Sequence, residues 1–438
     1  MAAGPCAWFL FYKPHDMKPI NTGKLPLDPT AYIAIMSLSL IVNLPGLAVT
    51  PMLDTLAHIF PKSSALEKQL LTMLPNLLII PFVLMSGKLS TTNHKKVLIM
   101  TALLIFAGST VGYMLSTSML ALIVFSCTLG IGAGILVPFS TGLLSDTFAG
   151  KPLMKQMGLQ SAISNLTLVL ATFAVGWLAR VRWHAPFLVY AVCLVPLALV
   201  NFIGRVPINE LDPTKADIEN YVATPTDAPS GQCNRQGVDV RRMVALFAAY
   251  FLLTFGTISI SEYLPFLAQA RHFNPSVTGS LTSIFFLMVF FCGISLTPII
   301  RMLRGRTVLV CTFLCLIGML VVSLARDVEL VGTGVVVAGI GYGALQPLFY
   351  NKATQCVNRP SLSTKALSII LTANYAAIVV EPLITQGICK LFHKSVESTF
   401  PFFISVAVCG IFLIYAFLSR KTFIGTISDT YYKKDVTK

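Results

Sequence analysis

Charge is what this sequence has least of. Lys and Arg number 32 and Asp and Glu 18 in 438 residues, so 11% of the chain is charged, where an average soluble domain carries roughly 25%. A water-soluble fold of this size would lack the charge to keep its surface in solution. Other absences narrow the function. The ten cysteines contain no Cys-x-x-Cys pair, and no two of the six histidines stand at ligand spacing. A disulfide scaffold or zinc site is therefore not expected, nor any other metal or cofactor. No Gly-x-x-x-x-Gly-Lys-Ser/Thr loop occurs, so ATP is not expected to drive the protein directly. No Ser, His and Asp stand in a hydrolase order, and an enzyme is not expected.

What the chain has instead is long apolar runs. Stretches 29–53, 69–87, 97–145, 156–179, 183–204, 243–261, 273–300, 307–325, 330–351 and 398–419 contain no Asp, Glu, Lys or Arg. Crossing the hydrocarbon takes about 20 apolar residues. Stretch 97–145 is long enough for two spans, broken near Ser116-Thr117-Ser118, and 366–390 adds one interrupted only by Glu381. Twelve transmembrane helices are expected, with the lipid bilayer as the partner of their outer faces.

The charges that exist lie between the runs and are biased to one side. With the N-terminus placed in the cytoplasm, 24 of the 32 Lys and Arg fall in inside loops and 8 in outside loops, the bias of the positive-inside rule. Both termini are expected in the cytoplasm, in a plasma or inner membrane. The net charge of +14 is accounted for by these loops, and nucleic acid is not an expected partner. Asp54 and Asp146 stand near span ends and read as water-facing. The short apolar run from Ala7 to Tyr12 cannot cross a membrane, and Met17 reads as an alternative start to Met1.

Residues 205–242 combine acids, prolines and small polar residues without apolar periodicity, the pattern of a linker. The expected organisation is a tail over 1–28, six helices over 29–204, a cytoplasmic linker over 205–242, six helices over 243–419 and a tail over 420–438. The halves repeat. Gly130, Ile131, Gly132, Gly134, Leu136 and Pro138 of the fourth span match Gly339, Ile340, Gly341, Gly343, Leu345 and Pro347 of the tenth at an offset of 209. The same offset carries Asn165 to Asn374, and an offset of 215 aligns Ala185-Pro186-Phe187 with Phe400-Pro401-Phe402. Two related six-helix bundles in parallel suit a carrier that rocks about a site between them.

At this point the chain resembles the major facilitator superfamily over about 29–419. The 6+6 plan carries the resemblance, together with the loop between the second and third spans. That family has a Gly-x-Leu-x-Asp-Arg-x-Gly-Arg-Lys-type motif there. Gly87, Leu89, Lys95 and Lys96 fit it, whereas Thr91 and His94 replace the Asp and Gly. The drug-exporter pattern of the fifth span is absent, and Ser126 stands where proton-coupled members often have Arg. The resemblance implies an all-α membrane fold of two pseudo-symmetric six-helix bundles, a monomer, and transport of a small molecule.

Ionisable residues inside spans are costly and default to functional candidates. Glu381, followed by Pro382, and Glu262, towards the end of the seventh span, are the two acids that qualify for proton coupling or substrate binding. A carboxyl in a low-dielectric cavity is suited to exchanging a proton. The resemblance puts spans one, four, seven and ten around the cavity, flanked by two, five, eight and eleven. Their polar candidates are Asn43, Asn165, Tyr342, Gln346, Tyr350 and Asn374, set against plain helix-to-helix hydrogen bonding. Gln346 stands out because its repeat equivalent is Val137. With two acids and no buried Lys or Arg, export of an amphipathic or cationic compound, coupled to protons or another ion, is favoured. Nutrient uptake by symport is the alternative, and a membrane enzyme or lipid-handling scaffold a third reading.

Overall fold

A computed structural model describes residues 22, 27–45, 56, 59–61, 65–90, 95–178, 181–203, 237–271, 275–357, 362–396 and 398–427. Asp54, Thr91, His94, most of the expected linker and the ends of both tails lie outside these residues. The chain is built from helices: α1 (Pro29–Ser37), α2 (Ala65–Leu89), α3 (Lys95–Leu115), α4 (Met119–Thr147), α5 (Gly150–Leu178), α6 (Leu194–Ile203), α7 (Val240–Ala270), α8 (Pro275–Ile294), α9 (Leu296–Leu303), α10 (Thr307–Leu324), α11 (Val328–Thr354), α12 (Ser363–Leu391) and α13 (Phe400–Leu418). Nine helical stretches among the described residues are long and apolar enough to cross a membrane, α9 and α10 counting as one. Three shorter apolar stretches, Pro29–Leu40, Met73–Leu89 and Gly279–Ile294, complete twelve. Large apolar side chains such as Phe173, Leu120 and Ile414 face outward, as lipid rather than water requires.

Local signals set several boundaries. The break near 116–118 falls between α3 and α4, where the Ser118 hydroxyl accepts the Ala121 N–H at 3.2 Å and caps α4. Asp239 does the same for α7, accepting from the Arg242 N–H at 3.1 Å. The Ala185–Cys193 segment winds as a 3₁₀ helix, whereas its repeat partner begins the α-helix α13, although each has Pro in its first turn.

The repeated glycines do the same job in each half. A Cβ on Gly130 would lie 2.8 Å from the Pro75 Cα of α2, and one on Gly339 would lie 3.0 Å from the Phe285 carbonyl of α8. Gly132 and Gly341 likewise meet backbone of α3 and α10, at 3.0 and 2.5 Å. So α4 packs on α2 and α3 as α11 packs on α8 and α10. Between lipid-solvated helices there is no hydrophobic drive, and such close packing holds the bundle.

The halves meet through α2 against α12 and α5 against α8. Close approaches in both pairs share one face. A Cβ on Gly158 of α5 would lie 2.4 Å from the Gly293 carbonyl of α8, and one on Gly87 of α2 would lie 2.3 Å from the Ser368 hydroxyl of α12. That face, where α2 ends and α5 and α12 begin, is closed.

Candidate functional site

A chain of polar side chains crosses from one half to the other. Asn43, in the turn after the first span, donates to the Asn165 Oδ1 at 3.4 Å. The Asn165 amide donates to the Ser161 carbonyl at 2.7 Å and reaches the Ser161 Oγ at 3.5 Å. Ser161 then donates across the interface to the Gln346 Oε1 at 2.9 Å. The Gln346 amide donates to the Tyr350 hydroxyl at 3.3 Å, which also accepts from Tyr250 at 3.0 Å. A second bridge between the halves runs from the Tyr375 hydroxyl to the Val42 carbonyl at 3.3 Å.

Depth follows from helix rise. Ser161, Tyr250 and Asn374 lie about 15–17 Å along α5, α7 and α12, which start at the same face. That is half of a hydrocarbon core about 30 Å thick. The polar chain is buried from Tyr250, 0% exposed, through Asn165 at 2%, with Asn374 and Tyr342 beside it at 9%, and is half-buried at its Asn43 end. In a bilayer each polar group needs a partner, and here the groups supply one another.

Asn374 takes a separate partner, its Oδ1 accepting from Thr254 at 2.9 Å. Tyr342 packs on Phe285, with ring centroids 5.9 Å apart. Tyr250 meets Tyr350 edge to face at 5.7 Å. The structure therefore joins Asn43, Asn165, Gln346 and Tyr350 in one chain and sets Asn374 and Tyr342 beside it.

Glu381 is elsewhere. It is fully buried among α7, α12 and α13, about 10 Å further along α12 than Asn374. Its Oε1 accepts from the Ser259 and Thr385 hydroxyls, each at 3.0 Å, and Ser259 also bonds the Ser405 hydroxyl. Glu262 is half-buried one turn beyond Ser259 on α7. Next to it, the Tyr263 hydroxyl reaches the Pro382 carbonyl at 3.5 Å.

In the motif loop, Gly87 is the contact with Ser368 described above, Leu89 is half-buried and Lys96 is exposed. Lys95 corrects one expectation. Its ammonium lies 2.8 Å from Asp146 Oδ2, and Asp146 is 5% exposed. Asp146 does not face water, because the last turn of α4 packs beside the first turn of α3 and a buried carboxylate there requires a cation.

Ser161, Thr254, Tyr250 and Ser259 escaped the sequence reading. Serine and threonine in helices commonly bond their own backbone, so the sequence does not mark the ones that reach a neighbour. Two signals were available. Ser161 stands four residues before Asn165 on one helix face, and Tyr250 lies mid-span rather than in an interfacial aromatic belt.

The profile described as Major Facilitator Superfamily matches residues 31–380 and 246–426. A stretch of 121 residues, 27% of this chain, is 30% identical to the multidrug transporter protein MdtP of Bacillus subtilis (strain 168). The match spans only 22% of that relative's length. The crystal structure of the human organic anion transporter MFSD10 (TETRAN) superposes with a TM-score of 0.66 at 14% identity, covering 88% of this chain and 99% of that one. The proton:xylose symporter XylE, bound to 6-bromo-6-deoxy-D-glucose, superposes with a TM-score of 0.69 at 13% identity, covering 89% and 95%. At these identities the superpositions speak for the fold.

Proposed function

The chain belongs to the Major Facilitator Superfamily and is a membrane transporter, and on that premise we propose that it exports an amphipathic or cationic compound by alternating access, in exchange for protons. The observation that carries this reading is the hydrogen-bonded chain from Asn43 to Tyr250, which crosses between the halves at mid-depth through Ser161 and Gln346. A ligand at that place touches both bundles, so its binding is coupled to their rocking. Tyr250, Tyr342, Tyr350 and Phe285 offer ring faces beside amides and hydroxyls. Ring faces attract lipophilic cations, and the polar tips orient them. The relative from Bacillus subtilis, named a multidrug transporter, points the same way.

On this reading Glu381 and Glu262 serve the coupling ion rather than the substrate. The bundles over 29–204 and 243–419 are the moving bodies, 205–242 joins them, and both termini lie in the cytoplasm of a cell-membrane monomer. A second reading, uptake of a neutral nutrient, is favoured by one observation: the chain of bonds contains amides and hydroxyls and no charged group.

The test is transport of a panel of lipophilic cations in everted vesicles, with and without a protonophore, for wild type and Gln346→Ala. Accumulation that the protonophore abolishes and the variant weakens supports export. No cation transport, alongside saturable counterflow of a labelled sugar or peptide, replaces the proposal with uptake.

A further inference from the structure

We propose that Glu262 and Glu381 form a two-acid proton relay that lies wholly in the C-terminal half, opens towards the face where α7 and α12 end, and acts on the polar chain between the halves from a distance. The inference rests on the transporter function proposed above.

The first argument is the asymmetry at Glu381. Both hydroxyl donors, Ser259 and Thr385, serve Oε1, while Oε2 is buried with no hydrogen-bond partner among the described residues. That is the arrangement of a carboxylic acid whose carbonyl oxygen accepts and whose other oxygen carries the proton. The second argument is the lack of counter-charge. Residues 243–270, 366–389 and 400–418 include no charged side chain except these two acids. The titratable groups that face Glu381 are Glu262 and Tyr263 of α7 and Cys389 of α12 itself. Among the described side chains, the other helices packed on α12, namely α2, α4, α11 and α13, send it no charged group. A carboxylate left alone in such a place is expensive, and a proton removes the charge.

The third argument is access. Glu262 is half-buried and stands one turn beyond Ser259, which bonds Glu381, towards the end of α7. In the other direction α7 has no carboxyl before its cap, Asp239. The step balances simply. Glu262 carboxylate takes a proton from hydronium at that face, leaving water, passes it through an intervening water to Oε2 of the Glu381 carboxylate, and is itself a carboxylate again. Glu381 holds the proton until the halves re-orient and then releases it to water admitted from the opposite face.

The fourth argument is the link to the site. α7 and α12 are joined at two levels, Ser259 to Glu381 and Thr254 to Asn374. One turn below Thr254 on α7, Tyr250 enters the polar chain through Tyr350. Loading Glu381 leaves Ser259 and Thr385 on Oε1 but weakens both bonds, because a carboxylate is a stronger acceptor than an acid carbonyl, and that alters the seating of α7 on α12, the helices that carry Tyr250 and Tyr375.

The test uses the full-length protein in liposomes with ethidium as probe. Glu381→Gln is expected to keep ethidium binding in detergent within about twofold and to lose exchange driven by a pH gradient. Glu262→Gln is expected to keep binding and to slow exchange by at least about tenfold, with Glu262→Asp restoring most of the rate. If Glu381→Gln does not fold, Glu381→Met, of similar length and with no proton to exchange, carries the same comparison. A tenfold loss of ethidium binding in folded Glu381→Gln, wild-type exchange in Glu262→Gln, or exchange driven by a sodium gradient at fixed pH overturns the relay. Wild type that moves no ethidium against a pH gradient overturns the function proposed above as well. Gradient-driven wild type with an unimpaired Glu262→Gln overturns the relay alone.

Discussion

A single methyl group at Gly158 should shift the protein between its conformations. The Cβ of Gly158→Ala would lie 2.4 Å from the Gly293 carbonyl, and Gly293 faces Gly158 reciprocally, at 2.6 Å. The obstacle is backbone, which cannot swing aside. Reaching ordinary contact requires α5 and α8 to part by about 1 Å, and overpacking of this kind costs about 1–3 kcal/mol. The strain exists only while this face is closed, so the equilibrium should move roughly 5–150-fold towards the state in which the halves separate there. Gly108 on α3 is the control, because a Cβ there meets nothing within 4 Å. Spin labels at Lys155 and Met302, both exposed near this face, report the separation by pulsed dipolar spectroscopy. The expected result is a longer distance population in Gly158→Ala and none in Gly108→Ala. Unchanged distances in Gly158→Ala, or equal changes in both, would refute the idea that the glycine pair holds this face shut.

Three further outcomes are expected. Gln346→Ala removes the bond to Ser161 that crosses between the halves; at about 0.6 kcal/mol for an average bond in a bilayer, the closed arrangement weakens roughly threefold, read from the same label pair. Asp146→Asn leaves the Lys95 ammonium without the carboxylate 2.8 Å away and should destabilise the protein by about 1–3 kcal/mol. A thiol-reactive dye will follow that melting, because seven of the eight described free cysteines are buried, and the double variant Lys95→Met/Asp146→Leu should melt above Asp146→Asn. Deleting residues 210–234 should leave transport intact, whereas Asp239→Ala, which uncaps α7 and frees Arg242, should cost about 1 kcal/mol; transport assays and the same dye separate the two.

The sequence alone determined the class, the number of spans and the repeat. Lipid satisfies no backbone group, so long uncharged runs have one available structure, and a local signal such as Ser118 suffices to end and restart them. The offset of 209 was equally legible, because the glycines at 130, 132, 339 and 341 answer to close backbone contacts that tolerate no side chain. The polar residues were legible only as types. That Gln346 reaches Ser161 in the other half, that Glu381 sits apart from that chain with one oxygen unpartnered among the described residues, and that Asp146 is buried against Lys95 all depend on which helix faces which. A sequence shows where along the membrane a polar group stands. Only the packing decides its direction and partner, because in lipid the drive for a hydrogen bond is satisfied by whichever neighbour the assembled bundle brings within reach.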